Sequence, residues 1–183
     1  MATGLTGHFV AMARNNAWAN HRLLGACEAL TPEEFAAPRI SFFPSLRATL
    51  NHILVVDLYY IDALEGDPGA LARFDKPPDF ADAALLYSVQ LASDRRLIAF
   101  CERQTETSLA SLCTLPRRDR KPPPSTVAAV LAHLFQHQIH HRGQAHAMLA
   151  GTHIMPPQLD DFFLAGDLPL RRDELRALGL PEE

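Results

Sequence analysis

Hydrophobic residues recur at helical spacing over most of this chain. Between residues 5 and 30 they fall every three or four positions, the spacing that places apolar side chains on one face of an α-helix. The same spacing predicts three more long helices, over residues 45–65, 79–112 and 125–151. No segment alternates apolar and polar residues about a turn in the way that predicts a β-hairpin. The pattern therefore predicts an all-α fold.

Capping and helix-breaking residues set the predicted ends of these helices. Thr31-Pro-Glu-Glu34 has the spacing of a capping box with proline at the first helical position, so a short helix is expected there. Ser45 can cap the second long helix, and Gly66-Asp-Pro-Gly69 ends it. Ser125 is the expected cap of the last long helix, because the prolines of Lys121-Pro-Pro-Pro124 cannot lie inside a helix.

Four long helices joined by loops predict a four-helix bundle. A chain of 183 residues can bury a sizeable core and has the usual length of one domain, so we expect a single bundle domain over residues 1–183. The tail over residues 152–183 is less regular, and only residues 171–178 are predicted to form a short last helix.

Composition and charge narrow the class of protein. A net charge of -4 gives no strongly basic surface, so we expect neither nucleic acid nor an anionic membrane as a partner. The chain has no apolar run of about 18 residues that could span a membrane and no signal-peptide pattern at its start. The three cysteines lack C-x-x-C spacing, which favours inert thiols in a reducing compartment, and we therefore expect a cytoplasmic protein.

Two histidines on the predicted last helix are the strongest sign of chemistry. His137 and His141 are four residues apart, so their rings lie one turn apart on the same face, which is close to the apolar face of that helix. Both rings can bind one metal ion, and His52 is the best candidate for a third ligand. Three histidines with an open position are typical of a catalytic metal site. The competing interpretation is that each histidine is hydrogen-bonded at a helix interface, and the spacing alone does not decide between the two.

Two further residues are candidates for a supporting role at this site. Asp57 falls near the centre of an apolar face, and a buried carboxylate needs a partner such as the indole of Trp18, a tyrosine or a histidine. We interpret it as a structural acid or as an acid that orients a ligand. His133 stands one turn before His137, where it could support the site or close the coordination sphere.

Four more polar residues stand close to these positions. Gln144 and Arg142 could hold a carboxylate, a carbonyl or an anionic group of a substrate, although exposed polar residues are the more common case on a helix. Asn16 and Asn20 interrupt the apolar face of the first helix, and we expect buried amides that bond to a facing helix.

Three segments of the chain carry motifs that occur together in one known family. Asn16-Ala-Trp18-Ala-Asn20-His-Arg22-Leu is similar to the pattern N-x-W-A-N-x-R-L. Ser45-Leu-Arg-Ala-Thr49-Leu-Asn-His52-Ile-Leu-Val-Val-Asp57 is similar to S-x-x-x-T-L-N-H-x-L-x-x-D. His133-Leu-Phe-Gln-His137-Gln-Ile-His-His141-Arg-Gly-Gln144 is similar to H-x-x-x-H-x-x-x-H-R-G-Q. In this order and combination the segments resemble the DinB/YfiT-like family of proposed metalloenzymes.

The resemblance implies a fold, a metal site and a class of reaction. The fold would be a four-helix bundle with up-down-down-up order that often forms a homodimer. A divalent metal ion, commonly zinc or nickel, would be held by the three histidines that match His52, His137 and His141. Where an activity is known, relatives are mostly transferases or isomerases that use a low-molecular-weight thiol such as bacillithiol, mycothiol or glutathione.

The expected function is therefore that of a metal-dependent thiol S-transferase acting on a small-molecule electrophile. A bound cation favours the thiolate, which is the nucleophilic form. Two alternatives remain: a metal-dependent hydrolase with water in the open position, and a non-catalytic metal-binding protein associated with stress. A haem protein is disfavoured, because two ligands one turn apart on one helix cannot take opposite axial positions.

Overall fold

The computed structural model describes residues 4–119 and 122–182, and the chain it describes is predominantly helical. The elements are α1 (Gly4–Cys27), α2 (Pro32–Ala36), α3 (Leu46–Leu64), α4 (Ala70–Asp75), α5 (Ala83–Glu102), α6 (Glu106–Ala110), β1 (Leu112–Cys113), β2 (Ser125–Thr126), α7 (Val127–Leu149), a 3-10 helix (Ala165–Asp167) and α8 (Leu168–Leu178). The expectation of a helical chain is confirmed. Arg120 and Lys121, which belong to the predicted break before the last long helix, lie outside the described residues.

Two predicted helix starts are confirmed by their hydrogen bonds. The side chain of Thr31 accepts from the backbone N–H of Glu34, whose own carboxylate accepts from the backbone N–H of Thr31 at 2.9 Å. This reciprocal pair is the capping box that the spacing predicts. The hydroxyl of Ser45 accepts from the backbone N–H of Ala48 and begins α3. Both starts depend only on residues within one helical turn.

The prediction of one long helix over residues 79–112 is wrong. Asp82 caps α5, which ends at Glu102, and Thr105 then starts the separate helix α6. The side chain of Thr105 accepts from the backbone N–H of Ser108, and the hydroxyl of Ser108 bonds to the backbone N–H of Thr105. Threonine and serine offer the backbone these local bonds in place of helix bonds, so the helix is interrupted and begins again.

A small pair of strands was not predicted, and it shifts the start of α7. β1 and β2 pair in antiparallel fashion, with Leu112 opposite Thr126 and Cys113 opposite Ser125. Ser125 was expected to cap the last long helix, and that prediction is wrong. Its backbone is used in the strand pair, and the hydroxyl of Thr126 accepts the capping bond from Ala129 at 3.1 Å.

The tail is more ordered than its sequence pattern suggests. α8 covers Leu168–Leu178, three residues more than predicted at its start, and ends at Gly179, whose φ of 69° is favourable only for glycine. The carboxylate of Glu174 accepts a 2.7 Å hydrogen bond from the indole N–H of Trp18 and a 2.8 Å bond from Arg22. These bonds hold α8 on α1.

The core lies between the four long helices. α1 packs against α5 and α7, and α3 packs against the same two helices. Large apolar side chains fill the interior, among them Leu23, Leu54, Leu86, Leu97, Leu131 and Leu134, all at most 1% exposed. Polar side chains are also buried there, and they form the network described below. None of the helices in the described ranges is long and apolar enough to cross a membrane.

Candidate metal centre

Three histidines from two packed helices meet at one point. His52 lies on α3, and His137 and His141 lie one turn apart on α7. One ring nitrogen from each histidine can be chosen so that all three lie within 4.8 Å of one another, and Nε2 of His52 is 2.9 Å from Nε2 of His137. The predicted site residues His52, His137 and His141 are therefore together in space.

Burial keeps two of these rings in the neutral form that a metal ligand requires. Burial, together with the neighbouring His141, lowers the pKa of His52 to about 4. Burial is also the main cause that lowers the pKa of His137 to about 3, with His141 and His52 next. Both imidazoles are thus neutral at pH 7 and keep a free lone pair. Neutral imidazole nitrogens gathered at one point suit a divalent cation of the zinc type.

Gln144 fixes the orientation of one ring. Its side-chain oxygen accepts a 2.8 Å hydrogen bond from Nδ1 of His141, which leaves Nε2 of that ring to face the cluster. The amide nitrogen of Gln144 lies 3.1 Å from Nε2 of His140 and can donate to it. By contrast, Nδ1 of His137 is buried and has no partner among the described residues. The position of Gln144 fits the supporting role considered from the sequence.

An aromatic wall covers one side of the cluster, and sequence reasoning missed it. The ring of Phe43 stands 4.4 Å from the ring of His52 and 5.4 Å from that of His141, measured between centroids. Phe42 is 77% exposed and lies 6.2 Å from His141. A backbone bond of 2.8 Å from Arg39 to Pro44 closes the loop that presents them. The sequence signal available for it was the pair of adjacent aromatic residues in the loop just before the helix cap Ser45.

Asp57 is buried, and it bonds to amide side chains and not to the histidines. It is 1% exposed, and its two oxygens accept bonds of 2.8 Å from Gln90 and from Gln138. Neither Trp18 nor a tyrosine or histidine, the partners expected from the sequence, provides these bonds. Burial, and then the nearby carboxylate of Asp94, raises the pKa of Asp57 to about 7. Asp57 fits the interpretation as a structural acid.

His133 does not join the three-histidine cluster. It is exposed on α7, and its ring lies 5.5 Å from the ring of Tyr60. The group of potential metal ligands in the described chain comprises His52, His137 and His141. The structure thus places His133 beside a tyrosine and leaves the cluster with three protein donors.

Asn16, Asn20 and Arg142 form a buried network, and the expectation that Arg142 is exposed is wrong. Arg142 is 4% exposed, and its Nη1 donates to the side-chain oxygens of Asn16 and Asn20. The amide nitrogens of both asparagines donate at 3.0 Å to Asp94 on α5. The asparagines therefore bond to facing helices, as predicted. Sequence reasoning missed Gln90 and Asp94, although both interrupt the apolar face of α5 one turn apart.

The fold and the site together define a class: a helical protein with a three-histidine candidate metal centre between two long helices. Comparison with known proteins agrees with this class. The family model described as "DinB family" matches residues 1–165, and the chain belongs to the DinB family. The Protein DinB of Bacillus subtilis (strain 168) is 26% identical over 139 residues, which cover 73% of this chain and 80% of the relative. The family match ends before α8.

Proposed function

We propose that this protein binds one divalent metal ion, zinc or nickel, through His52, His137 and His141. The observation that carries the proposal is the convergence of three ring nitrogens within 4.8 Å from two helices. The neutral state of His52 and His137 and the bond from His141 to Gln144 support it. Three protein donors leave room for an exchangeable ligand, which favours a catalytic over a structural or storage site.

The reaction we propose is transfer of a low-molecular-weight thiol to an electrophile. When bound, the ion supplies positive charge that favours the thiolate at neutral pH. The three histidines hold the ion, and Gln144 keeps the ring of His141 turned toward it. Phe43 excludes water from one side of the site, and Phe42 offers an apolar edge to the incoming electrophile. A new carbon–sulfur bond would then form as the bond between that carbon and its leaving group breaks, and the leaving group and the thiol proton would pass to solvent. With water in place of the thiol, the same site would favour hydrolysis.

Metal analysis by mass spectrometry on untagged protein tests the metal site. We expect about one zinc or nickel ion per chain in the wild type and loss of most of it in His137→Ala and His141→Ala. His8→Ala is the matched control, because His8 is an exposed histidine on α1 outside the cluster. Wild-type protein that takes up no metal after reconstitution, or equal loss in His8→Ala, would contradict the proposal. A screen of thiols against electrophiles then tests the transferase activity.

We also propose the up-down-down-up bundle order that the family resemblance implies. In an antiparallel pair of helices, contacts move forward along one helix as they move back along the other. α1 and α5 show this order in the contacts Arg14–Glu102 and Asn20–Asp94. α3 and α7 show it in the contacts His52–His137 and Tyr60–His133. In a parallel pair, contacts move forward along both helices. α1 and α7 show this order in the contacts Phe9–Phe135 and Asn20–Arg142. α3 and α5 show it in the contacts Asp57–Gln90 and Glu65–Arg96.

A homodimer and a cytoplasmic location complete the proposal. The dimer rests on the family resemblance, and sedimentation equilibrium at several protein concentrations tests it; a monomer mass at all of them would contradict it. The location is supported by the free thiols of Cys27, Cys101 and Cys113. Fractionation of cells that express the tagged full-length chain tests it.

A further inference from the structure

A cavity lies beside α7, separate from the histidine cluster. It has a volume of about 410 Å³ and opens between α1, α7 and the segment that follows α7. Arg142 and Asn15 provide buried polar groups, while Ile139, Leu159 and Phe163 provide apolar surface. None of the residues that line it belongs to the three-histidine cluster. The proposed metal site therefore does not account for this cavity.

Arg142 is a buried cation without a direct counter-ion. It is 4% exposed, and its hydrogen bonds, both from Nη1, go to the neutral amide oxygens of Asn16 and Asn20. Within the described chain, its Nε and Nη2 donate to no group, and it forms no direct ion pair; Asp94 and Asp57 act on it only at longer range. Buried N–H groups are normally hydrogen-bonded. A carboxylate bound in the open cavity that Arg142 lines would accept from these two groups.

Asn15 provides a second buried polar group on the cavity wall whose N–H groups have no acceptor in the described chain. It is 9% exposed, it lines the same cavity, and its amide makes no hydrogen bond to the described chain. Buried amides are normally hydrogen-bonded, so an amide without a protein partner at a cavity wall indicates a ligand or water. The amide N–H groups of Asn15 and the guanidinium of Arg142 can both donate to a carboxylate.

The charges around Arg142 restrict the ligand to a single negative charge. The buried carboxylates of Asp94 and Asp57 are near enough to act on its charge, and Asp94 is linked to it through Asn16 and Asn20. Asp160 lines the cavity at its exposed rim. These carboxylates oppose a dianion such as a phosphate monoester. Burial raises the pKa of Asp57 to about 7 and that of Asp94 to about 6, so Asp94 is largely ionised near neutral pH and offsets the charge of Arg142. A ligand would therefore bind the free N–H groups of Arg142 and not an uncompensated charge.

We propose that this cavity binds a small organic monocarboxylate with an aromatic or branched apolar body. The carboxylate would accept from Arg142 and Asn15, and the body would pack on Ile139, Leu159 and Phe163. Ile139 is 46% exposed and Phe163 is 55% exposed, so both offer apolar surface that such a body would cover. This site does not depend on the proposed metal.

Isothermal titration calorimetry with phenylacetate tests the site. We expect saturable binding that is at least about tenfold tighter than that of phenylacetamide, which lacks the charge, and of acetate, which lacks the ring. Inorganic phosphate should not compete. The same titration of wild-type protein that a chelator has freed of metal should give an unchanged affinity, because the carboxylate does not sit on the metal. Loss of binding after chelation would overturn this site and assign phenylacetate to the metal centre.

A substitution that adds a negative charge at the mouth of the cavity tests the site a second way, beside a control substitution elsewhere. Ile139→Glu adds a carboxylate to an exposed position on the cavity wall, and we expect it to weaken phenylacetate binding about tenfold or more. Leu85→Glu adds the same charge at a similarly exposed position on α5, outside the cavity lining, and should leave the affinity within about twofold. Circular dichroism checks the fold of both variants. Equal effects of the two substitutions, equal binding of phenylacetamide, or no binding of phenylacetate by the wild type would overturn the proposal.

Discussion

His141 and Arg142 are neighbours in the chain, and hydrogen-bonding partners give them separate tasks. His141 is oriented toward the histidine cluster by Gln144, whereas Arg142 is buried between helices and is held by Asn16 and Asn20 of α1. Adjacent residues on a helix differ by about 100° in direction, so one motif serves two sites. The roles of His141 and Arg142 therefore differ because their side chains bond to different partners.

Removing the hydrogen bond that orients the ring of His141 should weaken metal binding without removing a metal ligand. Gln144→Met keeps the size of the side chain but loses the oxygen that accepts from His141. We expect the metal dissociation constant, measured by competition with a chelator, to rise about 10- to 100-fold, as for other supports of metal-bound histidines. Gln136→Met is the control, because Gln136 is exposed on the same helix. Equal constants for the two variants would show that the bond to Gln144 has no such role.

Because Asp57 is a buried acid, we expect the free energy of unfolding to depend on pH. Burial raises its pKa to about 7, above the value near 4 of an unfolded chain, so the folded protein binds more protons between these values. The stabilising contribution of the bound proton is present in full below pH 4 and is lost as the pH rises through 7. Asp57→Asn removes this titration, and its added N–H can donate to the side-chain oxygen of Gln138, which is buried without a partner.

Urea unfolding at pH 5 and pH 8 measures this effect. We expect the free energy of unfolding to fall less between the two pH values in Asp57→Asn than in the wild type. Asp173→Asn, at an exposed acid on α8, should leave the difference unchanged. An equally large fall in Asp57→Asn and the wild type would contradict the assignment.

At the scale of elements, local capping bonds explain most helix ends, and pairing between distant segments explains the rest. α2 and α3 start where Thr31 and Ser45 predict, because each cap contacts a backbone N–H three residues ahead. The start of α7 differs because Ser125 pairs with Cys113, which lies twelve residues earlier. Spacing within one turn cannot reveal such a partner.

The cap of α7 can be tested by two adjacent substitutions. Thr126→Ala removes the hydroxyl that accepts from the backbone N–H of Ala129, and we expect a loss of about 0.5–2 kcal/mol in the free energy of unfolding. Ser125→Ala is the matched control, since Ser125 is exposed and its side chain does not cap the helix; its cost should stay within about 0.5 kcal/mol. Chemical denaturation followed by circular dichroism measures both. The reverse ranking would identify Ser125 as the cap.

At the scale of the whole molecule, the C-terminal helix is joined to the first helix by apolar packing of Leu175 and Leu178 on Trp18 and by a few polar bonds. Glu174 on α8 accepts from the indole of Trp18, which is fully buried, and from Arg22. Trp18 and Arg22 lie within the segment that the family model matches, whereas α8 lies beyond it. This contact therefore joins the matched segment to the C-terminal helix.

Glu174→Ala should loosen this contact and report on it through the single tryptophan. A buried indole N–H left without an acceptor costs about 1–3 kcal/mol, so we expect a loss of that size in urea unfolding and a red shift of Trp18 fluorescence. Asp173→Ala, at the neighbouring exposed acid, should cost less than about 0.5 kcal/mol and leave the spectrum unchanged. A wild-type spectrum in Glu174→Ala would mean that α8 is held without this bond.

The sequence by itself determined the features that depend on neighbours along the chain. The helical fold, the caps at Thr31 and Ser45, and the shared face of His137 and His141 all follow from spacings of three or four residues. Only the tertiary structure decided that His52 meets that pair, that Arg142 is buried and that Phe43 covers the cluster. These features depend on how α3 and α7 are rotated against each other and against α1, and that rotation is set by packing between segments that are distant in the sequence.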